Sequence, residues 1–600
     1  MKKLLTGIFT KNFLGALVVI FIGVLAARTL IFQPGYFLMH DDLQMMRQLE
    51  MEKCFLDGQI PCRWVPDMGY GFGFPLFNFY PPLPYLVGEA IRLFGFSFAA
   101  TAKINFALSL IVSGITMYLL AKEFFGRLGG VVSSAFYIWA PYHAVEIYVR
   151  GAMNENWALV FFPLIFLASY MLVRENRGKL RWMIILALSW FGLLTSHNLM
   201  VMIFTPFFAA WVILLLLLYK NYKVLPHLVF SGIWSFGLAA FFTLPALVEN
   251  GYTHVREQLG GYFEYSAHFV TIKQLFVSRF WGYGGSAWGV DNDGMSFSIG
   301  HIHWILITLL GLVIFVKLTL IFRRTVKLNS FFAKLRQHPL LFIVLFLVAS
   351  GWGAAFMTHN RSTFIYKMFA FFQFVQFPWR FLTLVIFMFS FALGAISLIF
   401  RSKNKVINFV GIPFRLIVLT VLIAFIILFN WNFFLPKGGR MGPLSDGEKF
   451  SGVAWELQSA AGAWDYLPIT AKTVPESFRS TVADASSGQA KISNSQIGTS
   501  WLSFDADVES DAVIRLNQYA FPEWKVFLNQ KQVSYFIPES EKWGRMYIRL
   551  LPGRYNVAAK FENTPIRRAG NVISLISWGL LVLLLIFVNK KHLPKVIIDR

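Results

Sequence analysis

The chain has 600 residues, of which 56% are hydrophobic, 18% aromatic and only 14% charged, and its mean hydropathy is +0.57. This composition excludes a soluble protein of this length and indicates many membrane spans. The formal net charge of +23 calls for no nucleic-acid partner, because basic loops that face anionic membrane lipids account for it.

Runs of apolar residues recur along the whole chain. A helix needs about 20 apolar residues to cross a bilayer. The first run follows Lys2-Lys3 and has the outline of a signal peptide, but it is longer than a signal peptide's apolar region, so we predict a retained anchor. Of the others, 128–142 and 180–194 are the shortest. We predict about twelve spans in all: 13–32, 99–121, 128–142, 153–173, 180–194, 197–218, 225–248, 301–322, 338–357, 379–400, 413–434 and 569–588.

Lys and Arg are concentrated in alternate connections between these runs, and this bias sets the orientation of a membrane protein. With the N-terminus inside, every connection that also falls inside is basic. These connections are 122–127, 174–181, 220–223, 323–336, 401–405 and 589–600. We therefore predict a multi-pass protein of the plasma (inner) membrane with both termini in the cytoplasm.

The connections on the predicted outer side are long. Residues 33–98 contain an apolar pattern at 43–55 that suits a helix on the membrane surface, followed by a Gly- and Pro-rich aromatic stretch at 69–82. The alternative for that stretch is a plain belt of interfacial aromatic residues. A second long outer connection covers 249–300.

The last outer segment differs in kind, because it is polar and alternates in the manner of β-strands at 501–508, 512–516 and 546–550. We predict a β-rich domain, a β-sandwich, outside the membrane. The predicted division is a transmembrane domain at 1–434, the β domain at 435–568, and a final transmembrane helix with a basic cytoplasmic tail at 569–600.

The only two cysteines, Cys54 and Cys62, both lie in the first outer connection. In an oxidising compartment they can form a disulfide. Two free thiols are the alternative, and the sequence does not decide between them.

An adjacent pair of carboxylates, Asp41-Asp42, follows His40 just beyond the first span. Carboxylates at a membrane surface are costly to desolvate and are usually retained for a function. A positioned carboxylate can accept a proton from a hydroxyl or hold a divalent cation. The alternative is a solvated acidic pair that only ends the span.

Other ionisable residues fall at the predicted outer ends of spans, on the same side as the acidic pair. Any one of them alone is more simply explained as a structural residue. Together they predict a cavity with carboxylates for a hydroxyl and with cations for a phosphate. They are His143, Glu146, Arg150, Glu155, His197 and Arg380.

The chain contains no phosphate-binding loop, no dinucleotide fingerprint and no structural zinc spacing. An activated group for transfer on the outer face would therefore have to arrive within the membrane, and a lipid-linked sugar phosphate does so.

The chain resembles the GT-C superfamily of integral-membrane glycosyltransferases. It is most similar to the bacterial membrane proteins named 6-pyruvoyl-tetrahydropterin-synthase-related and to the wider YfhO-like group, although nothing in it suggests pterin chemistry. The resemblance covers nearly the whole chain and is carried by His40-Asp41-Asp42, 69–82 (GYGFGFPLFNFYPP), 148–155 (YVRGAMNE), 377–381 (FPWRF), 519–526 (YAFPEWKV) and 551–555 (LPGRY).

This resemblance implies transfer of a sugar, with inversion, from a polyprenyl-phosphate-linked donor to an envelope acceptor: a glycan, a lipid or a protein. It implies that Asp41 or Asp42 is the base, with Asp42 also a candidate ligand for a divalent cation. Arg150 and Arg380 are candidates for the donor phosphate, and His40, His143, Glu146, Glu155 and His197 for the cavity lining. The alternatives are a polysaccharide or lipid transporter and a non-catalytic envelope assembly factor whose β domain binds a glycan.

Overall fold

The computed structural model describes residues 11–175, 178–282, 284–287, 294–323, 328–399, 408–409, 412–437, 441–442 and 444–590. The predicted inside connection 401–405, residues 324–327 of another, and the tail beyond residue 590 lie outside these residues. The α-helices, in chain order, are α1 (Lys11–Ala26), α2 (Arg28–Phe32), α3 (Gln44–Leu56), α4 (Leu76–Phe79), α5 (Leu83–Arg92), α6 (Phe98–Ile138), α7 (Pro141–Ala144), α8 (Met153–Arg174), α9 (Lys179–Ser196), α10 (Asn198–Tyr219), α11 (Leu225–Val248), α12 (Ile272–Phe276), α13 (His301–Phe322), α14 (Leu328–Gln337), α15 (Pro339–Met357), α16 (Thr363–Met368), α17 (Leu382–Leu393), α18 (Ile396–Ile399), α19 (Phe414–Asn430), α20 (Asp446–Lys449), α21 (Gly452–Ala460) and α22 (Pro565–Lys590).

The strands are fewer and most lie near the end of the chain. They are β1 (Asn408–Phe409), β2 (Ile412–Pro413), β3 (Ala483–Ser487), β4 (Ala490–Ile497), β5 (Trp501–Val508), β6 (Ala512–Tyr519), β7 (Trp524–Leu528), β8 (Lys531–Val533), β9 (Arg545–Leu550) and β10 (Gly553–Phe561). The predicted strands at 501–508, 512–516 and 546–550 correspond to β5, β6 and β9. The C-terminal β domain is thereby confirmed.

Ten helices in the described part of the chain are long and apolar enough to cross a membrane, and the apolar helix at Phe13–Ala26 is shorter. The prediction of a helical membrane protein with many spans is confirmed. One helix, α6, has 41 residues and occupies the place of the two predicted spans 99–121 and 128–142. The backbone at Gly126 is not helical (φ 72°, ψ 179°), so the chain turns there and α6 is divided into two segments.

The described chain forms two compact units, each built from segments that are distant in sequence. The first unit comprises Met1–Asp42, Ala102–Ser235 and Gly261–Pro443. Its helix α8 and the segment Pro378–Ile399 are largely buried, whereas α13 and α19 expose most of their apolar residues, as helices that face lipid do. Aromatic rings fill its interior. Phe162 stacks on Phe204, with ring centroids 4.4 Å apart and planes 2° from parallel.

The second unit comprises Leu43–Thr101, Phe236–Gly260 and Leu444–Arg600, and it contains the β domain. Two antiparallel sheets have the strand orders β4-β5-β10-β7-β8 and β3-β6-β9. In β5 the residues Leu502, Phe504, Ala506 and Val508 are buried, and the residues between them are more exposed. This period of two places one face of the strand in the core, as in a β-sandwich.

The aromatic residues of the first outer connection complete the core of that sandwich. Trp64 lies with its ring centroid 5.5 Å from Trp524, and Phe72 lies 5.9 Å from Tyr519. The Tyr519 amide also donates to the Phe72 carbonyl oxygen (3.0 Å). These residues are therefore core residues of the second unit, which replaces the alternative of an interfacial aromatic belt.

The pattern at 43–55 predicts a helix, and α3 confirms it, but its placement on a membrane surface is not what the structure shows. Its polar residues Arg47, Gln48 and Glu50 are buried within the second unit. Arg47 donates to the Tyr80 hydroxyl (3.0 Å), so polar partners inside the unit replace solvent. The end of α3 is also tied by a disulfide between Cys54 and Cys62, with Cα atoms 5.5 Å apart.

A buried polar network joins the three segments of the second unit. Glu249 accepts from Arg567 Nε (2.8 Å) and from Asn78 Nδ2 (2.9 Å). Arg63 donates to Asn571 Oδ1 (2.8 Å) on the final helix α22. Because a buried charge without a partner is costly, this network fixes α22 and residue 249 against the first outer connection.

Candidate active site

The acidic pair is held against a short turn of the first unit. The His40 amide donates to the Val149 carbonyl oxygen (2.9 Å), and the Asp41 amide donates to the Arg150 carbonyl oxygen (2.8 Å). This turn ends a π-helix, Val145–Val149, that follows α7. Wide helical turns of this kind often occur at functional sites. Asp41 and Asp42 are half-buried, whereas His40 is exposed.

Arg150 extends from this turn to two glutamates. Its Nη1 donates to Glu146 Oε1 (2.7 Å) and to Glu155 Oε2 (2.6 Å), and its Nη2 donates to Glu155 Oε1 (2.8 Å). Glu155 lies in the first turn of α8, where the helix dipole favours a negative charge. Burial disfavours the charge of Arg150, but the two glutamates outweigh it and raise the pKa of Arg150 further, so the guanidinium stays protonated.

Arg380 reaches the same glutamate from another segment. Its Nε donates to Glu155 Oε1 (2.9 Å), and its Nη1 donates to the Val375 carbonyl oxygen (2.8 Å). Nη1 also lies 3.4 Å from Gln376 Oε1. Among the residues that the structure describes, the remaining terminal nitrogen, Nη2, has no hydrogen-bond partner. The N–H groups of Arg380 Nη2 can therefore donate to an anion.

The aromatic rings of Trp379 and Phe377 contact the guanidinium groups of the two arginines. The guanidinium carbon of Arg150 lies 4.4 Å from the ring centroid of Trp379, and that of Arg380 lies 4.8 Å from Phe377. The two rings stack on each other, with centroids 4.9 Å apart and planes 18° from parallel. Cation–π contacts and the shared glutamate therefore hold both guanidinium groups in fixed positions.

His197 lies beside this cluster, with Nε2 3.6 Å from Glu155 Oε1. Its Nδ1 accepts from the amides of Leu199 (3.2 Å) and Met200 (3.3 Å) at the start of α10, so the proton of the neutral ring belongs on Nε2. Burial is the main cause that lowers the pKa of His197, to about 4; Arg380 and Arg150 also lower it, while Glu155 and Asp41 oppose the shift. Asp41 and both arginines thus act electrostatically on one imidazole.

The protonation of Glu146 sets the charge of the cluster. Burial raises the pKa of Glu146 to about 8; Arg150 counteracts this shift and Glu155 adds to it. Glu146 is therefore protonated at neutral pH, and the two arginines share one ionised carboxylate, that of Glu155. The four groups, Arg150, Arg380, Glu146 and Glu155, are buried and carry a net charge of one positive unit.

The structure brings most of the predicted residues together. Arg150, Glu146, Glu155, Arg380 and His197 form one cluster, with the backbone of His40 and Asp41 attached to it. His143 is fully buried and is bound instead by the Tyr137 carbonyl oxygen and by Asn156. Gln376, Phe377 and Trp379 are not among the site residues predicted from the sequence, although Phe377 and Trp379 belong to the FPWRF motif.

No group of three or more His, Cys, Asp or Glu side chains suited to a metal ion occurs among the described residues. The candidate role of Asp42 as a ligand for a divalent cation stays a prediction.

No protein-family model matches the chain. An uncharacterized protein of Lactococcus lactis subsp. cremoris (strain MG1363) is 26% identical over 250 residues, which span 40% of each protein. Among solved structures, arabinofuranosyltransferase AftD from Mycobacteria has a TM-score of 0.34 and 14% identity, with 72% of this chain and 28% of that chain covered. The oligosaccharyltransferase of Archaeoglobus fulgidus has a TM-score of 0.39 and 13% identity, with 79% and 61% covered. TM-scores this low do not establish a shared fold.

Proposed function

We propose that the chain is a membrane glycosyltransferase. It moves a sugar from a polyprenyl-phosphate-linked donor to a cell-envelope glycan, lipid or protein on the outer face, with inversion. The observation that carries the proposal is the pair of buried arginines, Arg150 and Arg380, which share the single ionised carboxylate of Glu155 next to the backbone-anchored Asp41. A phosphate fits the net positive charge, and the neighbouring carboxylate fits a reacting hydroxyl.

The transfer step follows from these roles. Asp41 accepts the proton of the acceptor hydroxyl as its oxygen forms the new bond to the anomeric carbon. The bond between that carbon and the phosphate oxygen breaks, and the lipid phosphate leaves with the electron pair. Arg150 and Arg380 stabilise the charge that develops on the leaving phosphate. In this proposal Asp42 orients the donor or holds a divalent cation.

A non-catalytic envelope assembly factor is the second candidate. It is favoured by one observation: Arg150 already forms an ion pair with Glu155 and donates a hydrogen bond to Glu146, so the cluster is satisfied in part as a purely structural network.

The deciding experiment is sugar transfer by the purified protein from polyprenyl-phosphate sugars in lipid nanodiscs. Loss of a general base typically lowers turnover by about a hundredfold to ten-thousandfold, and we expect this for Asp41→Asn. Asp507→Asn is the matched control, since Asp507 is exposed on the β domain. If Asp41→Asn and Asp42→Asn both keep full turnover, neither is the base. If no polyprenyl-phosphate sugar supports transfer, the assembly factor is the better assignment.

A further inference from the structure

The polar network around Glu249 in the second unit contains two arginines and one carboxylate. Arg567 donates through Nε to Glu249 Oε2 (2.8 Å). Arg63 is linked to the same carboxylate through Asn78, which accepts from Arg63 Nη1 at Oδ1 (3.3 Å) and donates from Nδ2 to Glu249 Oε2 (2.9 Å). All four side chains are buried. The buried charges are therefore unequal, with two guanidinium groups for one carboxylate.

The neighbouring charged groups do not remove this difference. Glu523 and Glu562 both pair with Lys525, whose Nζ lies 3.4 Å and 2.8 Å from their Oε2 atoms. Glu562 Oε2 also lies 3.8 Å from Nη2 of Arg568. These two carboxylates and two cations are partly exposed and balance one another. The excess positive charge therefore stays with the two buried arginines of the network.

Each of the two arginines has one buried nitrogen that donates to no atom of the residues described by the structure. These nitrogens are Nε of Arg63 and Nη2 of Arg567. The other terminal nitrogens are used: Arg63 Nη2 donates to Asn571 Oδ1 (2.8 Å), and Arg567 Nη1 donates to the Glu562 carbonyl oxygen (3.2 Å). A buried N–H without an acceptor is costly, and more so on a charged group. Two such donors with an excess positive charge favour an anion as their acceptor.

The network lies where two candidate spans end. Glu249 directly follows the span Tyr222–Val248, and Arg567 lies in the first turn of the span Pro565–Ile586. Apolar helices of this length end at the head-group layer of a bilayer. Phospholipid phosphates are abundant at this level, and the planar guanidinium group matches the oxygens of a phosphate.

We infer that Arg63 and Arg567 form a phosphate-binding site in the second unit. An anionic phospholipid supplies the phosphate at this level of the bilayer, and inorganic phosphate is the other source. The phosphate accepts from Arg63 Nε and Arg567 Nη2 and neutralises the excess charge, so that the ligand adds to the contacts between α22 and the first outer connection. The inference does not rest on the proposed function, because sugar transfer uses none of these residues.

The test measures ligand binding to the full-length protein in dodecylmaltoside, from the rise in melting temperature with ligand concentration. The probes are dihexanoyl-phosphatidylglycerol, dihexanoyl-phosphatidylcholine and inorganic phosphate. The first two have the same phosphate diester, but the choline group cancels the negative charge of the second. The variant is Arg63→Gln. The control is Arg568→Gln, because Arg568 adjoins Arg567 in sequence and its side chain is 64% exposed.

We expect the wild type to bind phosphatidylglycerol more tightly than phosphatidylcholine. Arg63→Gln should weaken phosphatidylglycerol binding about tenfold, which corresponds to about 1.4 kcal/mol, and the control should match the wild type. If inorganic phosphate binds more tightly than phosphatidylglycerol and Arg63→Gln weakens its binding, the ligand is free phosphate. Equal affinities of Arg63→Gln and the wild type for every probe would overturn the inference, as would a wild type that binds none of them.

A second variant, Glu249→Gln, keeps the test decisive if Arg63→Gln does not fold. It removes the counter-ion and keeps the shape of the side chain, so the affinity for phosphatidylglycerol should rise about fivefold, the effect of one unit charge at close range in a water-like medium. A purely structural network predicts lower stability with no gain in affinity. Loss of phosphatidylglycerol binding in Arg380→Gln, with normal binding by Arg63→Gln, would assign the lipid to the candidate active site and overturn the inference.

Discussion

Arg150 and Arg380 donate to the same oxygen atom, Oε1 of Glu155, at 2.8 and 2.9 Å. The first arginine follows the π-helix and the second begins a different candidate span, so one carboxylate fixes the distance between two guanidinium groups from separate parts of the chain. Two cations held at a fixed separation before a phosphate arrives stabilise its charge without the cost of reorganising them. Glu155 is therefore a positioning residue of the candidate site.

Glu155→Gln should destabilise the protein by about 3–5 kcal/mol, because it leaves two buried arginines without their shared counter-ion. Thermal unfolding in nanodiscs measures this, and added undecaprenyl phosphate should restore part of the loss by replacing the missing charge. Glu257→Gln is the control: Glu257 is 59% exposed and pairs with His254. That exposed pair should contribute at most about 1 kcal/mol. A melting temperature for Glu155→Gln equal to that of the control would contradict the role of Glu155.

Donor binding should weaken as the pH rises through about 8, the pKa to which burial raises Glu146. Below that pH Glu146 is protonated, and above it the new carboxylate competes with the donor phosphate for Arg150. The free energy of unfolding should also fall as the pH rises, because the folded protein binds the Glu146 proton more tightly than the unfolded chain does. This contribution to stability is fully present below the unfolded-state pKa and is lost as the pH rises to about 8.

Glu146→Gln should remove this pH dependence while it keeps the affinity measured at pH 7. Binding of undecaprenyl phosphate between neutral and alkaline pH is the measurement. A variant whose affinity falls with pH as steeply as that of the wild type would show that another group titrates.

Gly73→Ala should destabilise the second unit more than the backbone conformation alone explains. A Cβ at Gly73 would lie 2.2 Å from Gln518 Nε2 and 2.3 Å from Trp64 Nε1. Gly95 has nearly the same φ (81° against 82°), and a Cβ there meets no atom within 4 Å. Gly95→Ala should therefore cost only the left-handed conformation, about 1–2 kcal/mol.

The collision at Gly73 should add about 1–3 kcal/mol to that cost, as overpacking of a core does. Parallel thermal unfolding of the two variants separates the terms. Equal destabilisation of Gly73→Ala and Gly95→Ala would mean that the sandwich core rearranges to accommodate the extra methyl group without cost.

Cys54→Ser/Cys62→Ser should cost about 2–3 kcal/mol of stability, because the disulfide closes a short loop of the unfolded chain. The melting temperature of the wild type should fall on reduction to that of the double variant, and reductant should leave the variant unchanged. The chain has no other cysteine, so an equal fall in the double variant would show that the reductant destabilises the protein by a route other than this disulfide.

Residues 435–565 should lie on the outer side of the membrane, since every connection assigned to the inside is basic. The exposed residue Ser477 offers a reporter position, and the described residues include no free cysteine. Ser477→Cys should react with a membrane-impermeant maleimide in intact cells. Labelling that requires an opened cytoplasm would reverse the predicted orientation.

The spans and the β-strands could be read from the sequence because both leave local patterns. An apolar run of sufficient length predicts a span from local composition alone, and the alternation at 501–508 predicts that one side of β5 is buried. The identity of hydrogen-bond partners leaves no such pattern. Arg150 is close to Glu155 in sequence, but Arg380 donates to Glu155 only because two distant segments of the chain lie next to each other.

The same reason explains why the sequence predicts a membrane-surface position for α3. Its apolar residues have the spacing of an amphipathic helix, but Arg47 finds the Tyr80 hydroxyl inside the unit. Hydrophobic periodicity measures which residues are apolar. It does not show which polar residues will find buried partners.

The packing of Trp64 and Phe72 with the distant strands has a consequence for how the protein is made. These side chains leave the ribosome long before β6 and β7, which contribute Tyr519 and Trp524 to the same core. Trp64 and Phe72 therefore cannot reach their native packing until the last strands of the chain have been synthesised. Contacts of such high sequence separation form slowly and leave apolar surface exposed in the meantime. We expect nascent chains that stop before residue 483 to remain sensitive to protease at 43–101 and to depend on chaperones outside the membrane.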